Sequence, residues 1–231
     1  CKNSKIWRSS LSSVHGTKPC YWILFKIKLI KRTSLNHINS LLKQNHNWKV
    51  LDIGCGYSAN PLAETICDVI DLSNFYKDKK FIKLNNEKLP FKDKEFDFVI
   101  TSHVLEHVDN IKLFISELER VSRQGYIELP TRLEDNAVFE NKKDHKHHMK
   151  FDDVEQKLII KNKIQFIEPF LTVSTIKKLN KIFRDSLVIE LFWQDKIEYV
   201  IEDNNQELFE KISLIKLFKK YLSKKIRMIF K

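Results

Sequence analysis

The stretch Lys49-Val-Leu-Asp-Ile-Gly-Cys-Gly56 decides how this chain is read. Val50, Leu51 and Ile53 make a short apolar strand, and Gly54 and Gly56 end it. The sequence holds four glycines in all. A pair of them two residues apart marks backbone with a special need, either a tight turn or a close approach to another molecule. A strand that runs into such a turn is the ligand-binding edge of an open α/β sheet.

Working outward, apolar runs bounded by turn residues predict further strands at 67–71, 80–84, 96–101 and 125–129. Phe96, Phe98, Val99 and Ile100 form a nearly continuous apolar run, the pattern of a parallel strand buried on both faces. Helical spacing of Leu35, Ile38, Leu41 and Leu42 predicts a helix over 34–45, capped by Ser34. Ile111, Phe114, Ile115, Leu118 and Val121 predict another over 109–122, with Asp109 as its cap. Beyond Pro130, residues 145–162 and 187–202 each predict two strands around a polar turn. Residues 206–230 read as a basic amphipathic helix, expected to pack its apolar face on the domain. The expected fold is α/β, a Rossmann-like three-layer sandwich with a mostly parallel sheet and antiparallel hairpins in the C-terminal half. The expected organisation is a basic extension at 1–33, a domain at 34–202 and a basic helix at 203–231.

The turn after the first strand fits two ligands. Gly54, Gly56 and Ala59 satisfy the spacing of a dinucleotide fingerprint. That fingerprint sets a pyrophosphate on a helix N-terminus. Here Asp52 stands two residues before the first glycine, and Pro61 cuts short any following helix. A carboxylate repels pyrophosphate but suits a ligand carrying an ammonium and a sulfonium, as S-adenosylmethionine (SAM) does. Asp71, at the tip of the second strand with Leu72 beside it, is the candidate for the ribose hydroxyls. Asn85 or Asn86 suits hydrogen bonding to an adenine amine. Ser102 and His103 emerge where the strand at 96–101 ends, on the edge where such sheets bind ligands.

Residues 49–130 resemble the class I SAM-dependent methyltransferases of the type 11 kind. The matching pieces are VLDIGCG, VIDLS, NNEKLPF, FDFVITSHVLEHV and GYIELPT, in order and in spacing. The resemblance implies a methyltransferase with SAM as cofactor. It implies Asp52, Gly54 and Gly56 around the methionine part, Asp71 on the ribose, and Asn85, Asn86 and Glu87 near the adenine. Three features depart from the pattern. Ser58 stands for a third glycine, Asn85 for an aspartate, and only 19 residues separate Asp52 from Asp71. The chain therefore also admits a SAM-fold protein that binds without turnover.

Methyl transfer asks mainly for in-line positioning, and a hydroxyl acceptor benefits from a base. His103, His145 and His147 are the candidates. His103, Glu106 and His107 match H-x-x-E-H, a zinc motif that requires a long helix. In an extended strand His145 and His147 would share a face and His148 would take the other. No metal site is expected from either run.

The net charge of +11 is uneven. Residues 1–51 carry +10, residues 205–231 carry +6, and the middle carries −5. Basic flanks suit an anionic surface, so peripheral membrane contact of the C-terminal helix, at the inner face of the membrane, is the alternative to its packing on the domain. No zinc ribbon, RNP motif or stacking platform accompanies the basic runs. Nucleic acid is thus not the expected partner, and an RNA methyltransferase is the lesser alternative. Cys1, Cys20, Cys55 and Cys67 show no CxxC spacing, which predicts reduced thiols and a cytoplasmic protein. Cys at position 1 fits a trimmed or partial chain. The expected acceptor is an O or N atom of a small molecule or of a cell-envelope glycan or lipid precursor.

Overall fold

The computed structural model describes residues 29–86, 88–203 and 210–229. In chain order the elements are β1 (Leu29–Arg32), α1 (Leu35–Gln44), β2 (Val50–Ile53), β3 (Thr65–Asp68), β4 (Lys80–Lys83), β5 (Phe98–Ser102), α2 (Ile111–Val121), β6 (Gln124–Pro130), α3 (Arg132–Ala137), α4 (Asn141–Asp144), β7 (His147–Asp152), β8 (Lys157–Asn162), α5 (Val173–Leu187), β9 (Val188–Gln194), β10 (Tyr199–Glu202) and α6 (Leu214–Ile229).

The main sheet has seven strands in the order β1-β9-β6-β5-β2-β3-β4. β2 to β6 run parallel, and β9 is antiparallel to both β6 and β1. Alternation along the strands divides the core. Val50, Ile66, Phe98, Ile100 and Tyr126 meet Ile38 and Leu42 of α1 on one face. Leu51, Ile53, Val99, Ile127 and Leu191 meet α2 and the apolar residues of β7 and β8 on the other. Each fully buried aliphatic or aromatic side chain contributes about 1.5–3 kcal/mol, so this two-faced core is what holds the sheet in register. Gly125 has a packing reason. A Cβ there would lie 2.5 Å from the Val99 carbonyl oxygen and 2.8 Å from Nε1 of fully buried Trp193.

The mostly parallel α/β sandwich is thus as expected, with several corrections of detail. Residues 29–32, expected in a basic extension, form the edge strand β1. Their apolar Ile30 is 2% exposed, and the flanking Lys31 and Arg32 stay in solvent. Residues 145–162 do form a hairpin. Residues 187–202 do not. β9 joins the main sheet, and β10 pairs in parallel with β8 in a separate three-stranded sheet. The short turn at Gln194–Asp195 is legible in sequence, but which sheet each strand joins depends on partners far away in the chain. α5 is absent from the sequence expectation, because its many lysines hide the apolar positions Ile176, Leu179 and Leu187. Asn110, not Asp109, caps α2 by accepting from the Leu113 amide. Ser34 caps α1 as expected. α6 has no buried residue, so its apolar face is not packed on the domain.

Candidate functional site

β2 delivers Asp52 to the end of the sheet, where the chain turns through Gly54 (φ +68°) and Gly56 (φ +48°). Both conformations favour glycine. Their surroundings differ. A Cβ on Gly54 would strike Val104 Cγ2 at 2.3 Å, whereas one on Gly56 would meet nothing within 4 Å. Gly54 is required by packing, and Gly56 opens a bare backbone cradle.

No helix follows. Side chains hold residues 56–63 in its place. The Gly56 amide donates to Asp68 Oδ2 at 2.9 Å, and the Asn60 amide donates to Asp52 Oδ2 at 2.7 Å. Tyr76 Oη accepts from the Ala59 amide and donates to the Gly56 carbonyl at 2.8 Å. Lys79 Nζ donates to the Ala63 carbonyl at 2.6 Å. Asp68, Tyr76 and Lys79 were not singled out from the sequence. Only their convergence on one loop reveals their role. Asp52 is 4% exposed. Burial pushes its pKa up to about 6, against the Asn60 amide and Lys79, and Asp68 adds to the rise. A buried carboxylate beside an open glycine backbone fits the ammonium and main chain of a SAM-like ligand.

A cleft of about 1010 Å³ opens here, lined by Asp52, Gly54, Gly56, Ser102, His103 and His145 among others. Acidic side chains dominate its wall: Asp52, Glu128, Glu134, Glu140, Asp144, Asp185 and Glu190, against Lys177, Lys181 and Arg184.

His103 sits at φ +56° at the end of β5, its amide donating to the Glu128 carbonyl at 2.9 Å. Its Nδ1 lies 3.2 Å from Glu106 Oε1 and its Nε2 3.3 Å from Glu128 Oε1. Burial opposes charge on the ring, but the hydrogen bonds to Glu106 and Glu128 outweigh it and raise the pKa to about 10. With a carboxylate at each nitrogen, the ring has no free lone pair and cannot serve as the base expected from sequence. His145 lines the cleft, 2.7 Å from Asp135 Oδ1. His148 Nε2 meets the same carboxylate at 3.0 Å. His147 does not line the cleft, and its Nε2 lies 3.0 Å from the Val108 carbonyl oxygen. The expected pairing of His145 with His147 fails because β7 begins only at His147.

Glu134, unremarked in sequence, is 4% exposed and lines the cleft, and its Oε2 has no partner. Burial pushes its pKa up to about 7; His103 pulls it down and Glu106 and Glu128 push it up.

The remaining expected SAM contacts lie apart from the cleft wall. β3 ends at Asp68, and Asp71 is exposed three residues on, accepting from the Ser73 amide and hydroxyl. Leu72 is buried in the core. Asn85 and Asn86 are exposed beyond β4, and Asn86 Oδ1 accepts from the Lys88 amide. Glu87 lies outside the described residues.

Residues 51–127 match the methyltransferase-domain family of type 11. The chain is 30% identical to "Uncharacterized protein MJ0638" of Methanocaldococcus jannaschii over 189 residues, 67% of this chain and 84% of that one. Among solved structures it is similar to a SAM-dependent methyltransferase, possible histamine N-methyltransferase, of Thermotoga maritima (14% identity, 64% and 83% of the two chains, TM-score 0.39). It is also similar to the YcgJ protein of Bacillus subtilis (13% identity, 70% and 99%, TM-score 0.42). With its parallel sheet, its glycine turn and its Asp52, the chain belongs to the type 11 class I SAM-dependent methyltransferases, and its cofactor is SAM.

Proposed function

We propose that this protein transfers a methyl group from SAM to an oxygen or nitrogen atom of a polar acceptor, a small molecule or the headgroup of a cell-envelope glycan or lipid precursor. The observation that carries this reading is the acidic cleft, where Asp52 and Glu134, whose Oε2 is buried without a partner, line one space. SAM, when bound, supplies a methyl group on a sulfonium with a good leaving group. Asp52 holds the ligand's ammonium, and the Gly54–Gly56 backbone lets the chain approach it closely. Glu134, with a pKa near neutrality, takes the proton of an attacking hydroxyl, or deprotonates an ammonium so that the neutral amine attacks the methyl carbon. His103, fixed between Glu106 and Glu128, shapes the cleft wall and keeps a positive charge among these carboxylates. A wall this acidic favours an amine or a sugar over an apolar acceptor, and it repels an RNA backbone.

The test is methyl-labelled SAM with fractionated polar, glycan and lipid extracts. Label entering a polar or glycan-bearing fraction, lost in Asp52→Asn, is the expected result. No SAM binding by calorimetry at millimolar ligand would sink the reading and leave a SAM-fold scaffold.

α6 supports a location for that acceptor. It presents Ile215, Phe218, Leu222, Ile226 and Ile229 exposed on one side. Five lysines and Arg227 accompany them with no acidic residue. A helix of this kind lies in the interface of an anionic bilayer, here on the cytoplasmic side, where Cys55 and Cys67 stay reduced. Among the described residues no helix is long and apolar enough to cross a membrane. Flotation with anionic vesicles but not with zwitterionic ones is expected. No flotation with anionic vesicles would remove membrane contact.

A further inference from the structure

Glu106, His107 and His145 meet beside the cleft, and none of the proton or ligand contacts proposed above uses them as a set. The two segments that carry them are locked together. The Lys146 and His147 amides both donate to the Glu106 carbonyl, at 2.7 and 3.3 Å. Residues 103–107 form a turn, not the helix of an H-x-x-E-H motif, so the ligand set differs from the one that motif names. One ligand atom from each of Glu106, His107 and His145 lies within 4.8 Å of the other two. The two imidazoles stand edge to face, with centroids 4.5 Å apart.

The second layer of contacts is in place as well. His145 Nδ1 lies 2.7 Å from Asp135 Oδ1, and His107 Nδ1 lies 3.0 Å from the Asp144 carbonyl oxygen. His107 Nδ1 is hydrogen-bonded and His145 Nδ1 faces the Asp135 carboxylate, so Nε2 of each ring is the atom assigned to the cation. A carboxylate or carbonyl on the far nitrogen is the arrangement that orients metal-binding histidines. Asp135 is itself held by Lys163 at 2.7 Å and sits 1% exposed. Glu106 is 1% exposed, and its Oε2 is buried with no partner. A buried carboxylate oxygen left unpaired is costly, and a bound cation removes that cost.

We propose that Glu106, His107 and His145 bind one divalent transition metal of the zinc class. Two imidazoles and a carboxylate suit zinc or cobalt over magnesium or calcium. Bonds of about 2.0–2.2 Å draw the three side chains together by rotation of their terminal torsions. His107 and His145 line the cleft, so the fourth position opens toward the acceptor, as in sites that keep an exchangeable ligand. That position holds an oxygen or nitrogen of the acceptor. Only this last role rests on the methyltransferase reading; metal binding stands without it.

The experiment uses the full chain, stripped by chelator and titrated with cobalt(II) chloride alone. The expected result is one equivalent bound, with visible d–d absorption, and two hyperfine-shifted exchangeable histidine protons from the Nδ1 hydrogens. His145→Ala, His107→Ala and Glu106→Gln each weaken binding at least 10-fold, and His147→Ala leaves it unchanged. Absence of stoichiometric cobalt uptake by the wild-type chain overturns the proposal. So does uptake without the two shifted histidine protons, a readout that needs no variant to fold. A parallel SAM titration of the stripped protein reports on the methyltransferase reading separately.

Discussion

Glu128 and Glu190 stand directly opposite one another across the β6–β9 ladder. Like charges at such a pair destabilise a sheet, and here both side chains are buried. Arg184 relieves the pair by donating to both carboxylates, and the Tyr126 hydroxyl lies between them, 2.5 Å from Glu128 and 2.7 Å from Glu190. Against burial, hydrogen bonds from His103 and Tyr126 and the charges of His103 and Arg184 hold Glu128 ionised, with its pKa well below the usual range.

Arg184→Met leaves the two carboxylates without their shared cation. Breaking a buried pair costs about 3–5 kcal/mol. Arg184 is 33% exposed, which reduces the expected loss to roughly 2 kcal/mol. Urea denaturation measures it. Adding Glu190→Gln to the variant recovers part of the loss, and no recovery would mean that the repulsion is not the cause.

SAM affinity depends on the ionisation of Asp52. Its folded pKa is raised to about 6, so the apo protein favours the protonated form and loses that stabilisation as pH rises through about 6. A cationic ligand favours the ionised form. Binding measured by calorimetry therefore tightens from pH 5 to pH 7 by about 10-fold in all, most of it below pH 6. Lys79, Asp68, Cys55 and Cys67 are the charged or titratable groups around it. Asp52→Asn flattens the profile; a pH slope that survives in Asp52→Asn assigns the titration elsewhere.

The two glycines separate packing from ligand access. Gly54→Ala adds a clash with Val104 to the backbone strain, and thermal unfolding should register at least 2 kcal/mol, about 1–2 of it from the left-handed backbone. Gly56→Ala carries the backbone strain alone, about 1–2 kcal/mol. Its methyl group enters open space, so SAM affinity falls more than stability does. Equal SAM affinity in Gly56→Ala and wild type would show that the cradle is not used.

Asp68 and Asp71 should differ in their effect on stability. Asp68 is 7% exposed and accepts from the Gly56 and Ile70 amides. Asp68→Ala lowers the melting temperature and abolishes SAM binding together. Asp71→Ala leaves the melting temperature unchanged, because the side chain is exposed. It weakens SAM binding about 10-fold if its carboxylate meets the ribose, roughly the worth of one charged hydrogen bond. Unchanged affinity would move the ribose contact to another residue.

Glu134→Gln keeps the size of the side chain and removes its basicity. Once an oxygen acceptor is in hand, turnover should fall about 10²–10⁴-fold with SAM affinity unchanged. A drop in SAM affinity instead would make Glu134 part of the cofactor site.

Local information carried much of this protein. The alternation around Val50-Leu-Asp-Ile53, the positive-φ glycines and the apolar run at 96–100 are properties of a few adjacent residues, so the parallel sheet, its glycine turn and the charge of Asp52 are legible in the chain. Ser34 capped α1 where expected for the same reason. What remained hidden depends on residues far apart in sequence. β10 leaves β9 to pair with β8 because Tyr199 and its neighbours find their hydrogen bonds there. Asp71 looks like a strand tip until the chain bends after Asp68. Glu134 is an ordinary helix glutamate until folding buries it and brings His103 near. The histidines show the difference most clearly. Their spacing suggests a base, whereas two carboxylates favour the protonated form of His103 against its burial, and one turn brings His107 to His145. Glu128 lies 25 residues from His103 and His145 lies 38 from His107, so no short window of sequence contains these contacts.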